Sequence, residues 1–135
     1  MACQYLLDTN IVSYLLKEQI PVLKARFGSK APGATAVSSV TEAEVRFGVA
    51  RRPGAIWLRL AVDAFIAGIP ILPWDSDCAN VYGVLRAEQQ RIGRPLSIED
   101  LMIASHALSL GLTLVTHDAA FSFVDGLKTE DWTVA

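Results

Sequence analysis

The chain has 135 residues, 52% of them hydrophobic and 19% charged, with a formal net charge of −2. That length suits one domain over residues 1–135, with a core large enough to need no metal or disulfide staple, and the balance excludes a disordered tail. No apolar run approaches the roughly 18 residues needed to cross a bilayer, and no basic region precedes the first apolar segment, so the sequence predicts a soluble, unsecreted protein. Cys3 and Cys78 stand far apart with no CxxC or neighbouring His pattern. They read as buried reduced thiols, which suits the cytoplasm.

The opening stretch, Tyr5-Leu6-Leu7-Asp8-Thr9-Asn10, reads as a doubly buried strand that stops at an acid where a helix begins. Ile11, Val12, Leu15 and Leu16 recur at helical spacing, and Ile20-Pro21 starts a second short helix with Val22, Leu23 and Phe27 inward. After a glycine-bounded loop, Ala36 to Val40 predicts a strand and Thr41 the start of a helix reaching about Arg51. A helix from about Ala55 to Ala67 follows. Ile69 to Leu72, flanked by Pro70 and Pro73, predicts a strand towards a sheet edge. Asp75-Ser76-Asp77 caps a long helix with Val81, Val84, Leu85 and Ile92 on one stripe, and Gly93-Arg94-Pro95 stops it. Ser97 opens a helix apolar almost all round, which ends at Gly111, and Leu112 to Thr116 predicts a second doubly buried strand ending in His117-Asp118. One turn near Phe121 and a last strand over 131–134 complete the reading. Strands alternating with helices predict an α/β fold, with a mostly parallel sheet covered on both faces.

Four acids fall where such a sheet presents ligands: Asp8 and Asp118 after strands, Glu44 and Asp100 in the first turns of helices. Each also has a purely local explanation. Thr41-Glu42-Ala43-Glu44 has capping-box spacing, Ser97-Ile98-Glu99-Asp100 the related S-x-x-D spacing, Asp8 suits an N-cap and Asp118 an Asx-turn. Caps do not require a shared edge. Four carboxylates gathered there would repel one another unless a cation sat among them, and hard oxygen ligands suit Mg²⁺ or Mn²⁺. His106 and His117 stand alone, without the spacing of a zinc site, and His106 reads as a helix residue partnered locally. With four of the 14 acids committed to such a site, ten remain against 12 Lys and Arg, so the net charge neither supports nor excludes a nucleic-acid partner.

The combination Leu7-Asp8-Thr9-Asn10, Ser39 to Glu44, Gly93-Arg94-Pro95 leading to Asp100-Leu101-Met102-Ile103-Ala104, Val115-Thr116-His117-Asp118 with Phe121, and the closing Glu130-Asp131-Trp132 resembles the PIN-domain ribonucleases. The Gly-Arg-Pro segment and the closing Glu-Asp-Trp resemble more narrowly the VapC toxins of bacterial toxin-antitoxin pairs, in register over essentially the whole chain. The resemblance implies a PIN-like three-layer α/β/α sandwich. It implies that Asp8, Glu44, Asp100 and Asp118 are a catalytic, metal-holding quartet for Mg²⁺ or Mn²⁺, with Thr9, Asn10 and Thr116 as polar residues lining the site. One departure is Ala120, where many relatives carry a further acid before the phenylalanine that Phe121 matches. Glu42 and Glu99 adjoin family positions without matching them and read as helix-surface charges.

The implied activity is endonucleolytic hydrolysis of structured RNA, transfer or ribosomal, by a homodimeric enzyme inhibited by a cognate VapB antitoxin. Arg46, Arg51, Arg52, Arg86, Arg91 and Arg94 are candidates for RNA-phosphate contacts; solvated helix charges are the bland alternative. Two other functions fit parts of the pattern. A phosphatase also uses a strand-terminal Asp, but a haloacid-dehalogenase-type enzyme would carry a second acid where Asn10 stands. A catalytically inactive binding module would use its acids only as caps.

Overall fold

The computed structural model describes residues 2–93 and 96–135. Five strands, β1 Tyr5–Leu7, β2 Thr35–Ser38, β3 Ile71–Leu72, β4 Thr113–Val115 and β5 Thr129–Glu130, form one sheet in the order β3-β2-β1-β4-β5. All four pairings are parallel, and Leu6 lies opposite Ala36 and Leu114 while Leu7 lies opposite Val37 and Val115. Helices α1 Thr9–Lys17, α2 Pro21–Gly28, α3 Ser39–Ala50, α4 Ile56–Ala67, α5 Ser76–Arg91 and α6 Ile98–Leu110 connect them.

The alternation of side chains along β1 and β4 divides the core into two layers. Leu6 and Leu114 pack with Leu85 of α5 and with Leu101, Ile103, Ala104 and Ala107 of α6. Leu7, Val37 and Val115 face the other way, onto Ile11 and Val12 of α1, Leu23 of α2 and Trp132. Helices therefore cover both faces, which is the three-layer α/β/α arrangement, and the central strands need no polar face. Six residues of α6 between Leu101 and Ala107 are buried, as its all-round apolar pattern requires.

Three local expectations change. Helix α3 begins at Ser39 rather than Thr41, because the Ser38 hydroxyl accepts from the Val40 N–H at 3.0 Å and caps it two residues earlier. The last strand lies at Thr129–Glu130 rather than 131–134. There the backbone of β4 and its extension bonds Lys128 and Glu130, while the Asp131 carboxylate accepts from the Thr133 N–H at 2.8 Å and turns the chain away. His106 bonds no local partner; its Nδ1 meets Ser38 Oγ at 2.8 Å, from β2, with the ring fully buried. The edge position of β3 agrees with the flanking prolines. Positions 94 and 95, and with them the phosphate contact expected of Arg94, lie outside the described residues.

The strand order sets the location of the site. The chain moves outward from β1 to β2 and β3, then returns to the opposite side of β1 for β4 and β5. Loops leaving β1 and its neighbours diverge at that reversal and open a crevice at the carboxyl edge. Asp8 directly follows β1, in that crevice.

Candidate active site at the carboxyl edge

Asp8 has extended backbone and caps α1, its Oδ1 accepting from the Ile11 N–H at 2.8 Å. The residue is only 5% exposed. Burial pushes its carboxyl up to about 6, hydrogen bonds from Thr116 and the Ile11 backbone act against that, and the charges of Asp100 and Asp118 push it further up. The cap explanation is therefore correct and insufficient. A cap needs one carboxylate oxygen and no neighbouring acids.

Thr9 leads the next layer of contacts. Its hydroxyl lies 3.1 Å from that of buried Thr41 and donates to Glu44 Oε1 at 3.0 Å. Since Ser38 caps α3, the Thr41-to-Glu44 spacing makes no capping box; it places Thr41 and Glu44 one turn apart, towards α1. Burial raises the Glu44 pKa most, the Thr9 bond opposes it, and the charges of Glu99 and Asp100 raise it further. Ser97 caps α6 by accepting from the Asp100 N–H at 3.1 Å. The Asp100 carboxyl is likewise raised, by burial first, against its bond with Ser97, and then by Asp118 and Glu99. Asp118 is exposed, caps the 3₁₀ turn at Ala119–Phe123, and accepts from the Ala120 N–H at 2.9 Å, the Asx geometry its position suggested. Its own N–H donates to Thr116 Oγ1 at 3.0 Å.

All four acids thus lie within one electrostatic neighbourhood, since Asp8 senses Asp100 and Asp118, and Glu44 senses Asp100. Glu99, which reads as a surface charge, belongs to the same field because it acts on both Glu44 and Asp100. Spacing alone does not separate Glu99 from Asp100; the seating of α6 does. Among the described residues, no three His, Cys, Asp or Glu side chains stand close enough to form a ready-made metal cage. Mg²⁺ does not need one, because it retains several waters and commonly takes one or two carboxylates together with substrate phosphate. A buried carboxylate raised by its acidic neighbours, in an all-oxygen donor set, fits such a cation.

The arginines differ in how free they are. Arg46 pairs with Asp63 at 2.7 Å and Arg91 with Glu88 at 2.6 Å, while Arg86 donates to the Tyr82 hydroxyl at 3.1 Å. Asn10 is exposed and, with Thr9 and Glu44, lines a groove that also contains Arg51 and Arg52.

This combination of sheet order and edge acids defines a nuclease-type α/β fold, and the comparisons with known proteins identify it. The PIN domain model matches residues 5–127. The tRNA(fMet)-specific endonuclease VapC of Shigella flexneri is 36% identical over 130 residues, covering 96% of this chain and 98% of that protein. Ribonuclease VapC2 of Haemophilus influenzae is 34% identical over the same shares. The chain belongs to the PIN-domain family and, within it, to the VapC ribonucleases. Solved structures agree: DNA-bound VapBC from Salmonella typhimurium superposes with a TM-score of 0.90 at 31% identity, over 96% of this chain and 98% of that one. VapBC2 from Rickettsia felis, bound to a promoter DNA fragment, gives 0.86 at 29% identity over 98% and 99%.

Proposed function

We propose that this protein is a divalent-metal-dependent endoribonuclease toxin that cleaves structured RNA, of the transfer or ribosomal class, and is held inactive by a VapB-type antitoxin. The observation that carries the reading is the state of Asp8: buried, raised to about 6, and facing the fields of Asp100 and Asp118 at the topological switch point. The named activities of the Shigella and Haemophilus relatives support the reaction, and the VapBC complexes support the partner. A homodimer is part of the same proposal.

Asp8 and Asp100 would hold Mg²⁺ or Mn²⁺ directly, with Glu44 and Asp118 completing the shell directly or through water. When bound, the cation supplies Lewis-acid activation of water at neutral pH and offsets charge on the phosphoryl oxygens and the leaving group. The protein's own groups fix the donors. The Ile11 N–H holds one oxygen of Asp8, Thr116 orients the same carboxylate, and the Thr9 hydroxyl fixes Glu44. In-line attack by water then needs no side-chain nucleophile. A module whose acids serve only as caps is disfavoured by Glu44, whose carboxylate accepts from Thr9 rather than from its own helix.

The test uses purified protein and total transfer RNA with Mg²⁺ or Mn²⁺. Cleavage is expected with metal, and is lost in EDTA or in Asp8→Asn or Asp100→Asn variants that keep the wild-type circular dichroism. Full cleavage by folded Asp8→Asn would overturn the assignment.

A further inference from the structure

The groove that begins at Thr9, Asn10 and Glu44 has a volume of about 210 Å³ and continues between α1 and α3 past Lys17, Arg51 and Arg52. These three cations make none of the ion pairs found among the described residues, which instead use Lys24, Arg26, Arg46, Arg91 and His117. Arg51 and Arg52 are exposed, and the Arg51 guanidinium lies 5.3 Å over the ring of Phe47, which is 63% exposed. That contact limits the freedom of the guanidinium without neutralising it, so part of the ordering entropy of an anion contact is lost beforehand. Three unneutralised cations along one groove ask for several anionic groups spaced along an extended ligand. The acids end the same groove at Glu44.

We infer that Lys17, Arg51 and Arg52 seat the backbone phosphates of the RNA strand next to the one that is cut. This rests on the ribonuclease reading and adds to it the direction in which the substrate leaves the acidic site. Arg46 and Arg91, already held by carboxylates, contribute less. These are binding and positioning residues: their contacts carry no base information and act through how the strand lies across the acids.

The test is equilibrium binding of a fluorescent, 2′-O-methylated RNA stem-loop, which resists cleavage, to full-length protein in EDTA across a salt series. Replacing Lys17, Arg51 and Arg52 together by Gln should weaken binding at least about tenfold at low salt. It should also lower the slope of log affinity against log salt by about two, at ~0.7 per phosphate released from a single strand. The charge-conserving set Lys17→Arg, Arg51→Lys and Arg52→Lys should restore most of the affinity, and Arg59→Gln should change neither quantity. Unchanged affinity and slope in the Gln variant would overturn the inference. So would normal RNA binding with selective loss of affinity for an acidic peptide, which would assign the groove to a protein partner. If the wild-type protein neither binds nor cuts RNA, the ribonuclease reading itself fails, a result distinct from failure of the groove alone.

Discussion

Helices α1 and α5 both start on an aspartate, and the two starts show how little a local role says about function. Asp8 accepts from the Ile11 N–H and Asp75 from the Cys78 N–H, each three residues on, each with extended backbone. Their acidities move in opposite directions. Asp75 is exposed and its carboxyl is lowered, chiefly by hydrogen bonding around Cys78. Asp8 is raised to about 6 by burial and by two acidic neighbours. The cap is the same in both places. What distinguishes Asp8 is that a parallel sheet buries its strand and brings α6 and the β4 loop against it, so the capping oxygen belongs to a carboxylate that a cation would stabilise.

The largest effect that separates these two starts is catalytic. Asp8→Asn should reduce RNA cleavage to background while Asp75→Asn leaves it unchanged, measured on transfer RNA by gel electrophoresis with Mn²⁺. Equal losses in the two variants would erase the distinction. Next comes the orienting layer: Thr9→Val removes the donor to Glu44 and should lower cleavage roughly 10- to 100-fold, the usual effect of losing a group that orients a metal ligand. Metal affinity, read by isothermal calorimetry, should fall with it.

The comparison also has a pH signature. The folded Asp8 value of about 6 lies above its ordinary 3.8, so between those values the native state keeps a proton that the unfolded chain has released. Stability without metal is therefore highest below that window and falls as pH rises through it, by up to about 3 kcal/mol. Urea unfolding in EDTA should show this fall, Asp8→Asn should flatten it, and added Mg²⁺ should offset it above pH 6. Asp75 has the opposite sign: its contribution is present above the unfolded value and is lost as pH falls through the lowered folded one.

Smaller effects are purely structural. Ser38→Ala removes the α3 cap and leaves both ring nitrogens of buried His106 without a partner, since Nε2 already has none among the described residues. It should cost about 1–3 kcal/mol in urea unfolding. Asp75→Ala should shift the thermal midpoint least, with cleavage intact.

Much of this molecule follows from short-range pattern. The uncharged runs Tyr5-Leu6-Leu7 and Leu112 to Val115, and the apolar helix ending at Gly111, predict buried parallel strands and a central helix, because β-strand and α-helix periodicity are properties of neighbouring residues. The Asp75, Ser97 and Asp118 caps are legible for the same reason. Capping at Thr41 is not: Ser38 competes for the same helix start, and which hydroxyl wins depends on where β2 ends in the sheet and on His106, 68 residues away. The role of Glu99 is hidden likewise, because an acid's influence depends on three-dimensional distance and burial.

The sequence by itself determined the element order, the helix stops and which acids stand at the ends of strands or the starts of helices, since these depend on contacts within a few residues. Only the tertiary structure decided that β1 lies between β2 and β4, that Thr9 reaches Glu44 across 35 residues, and that Asp8 is buried within the fields of Asp100 and Asp118. Solvent exclusion and carboxylate repulsion act through space, so a list of neighbours along the chain does not contain them.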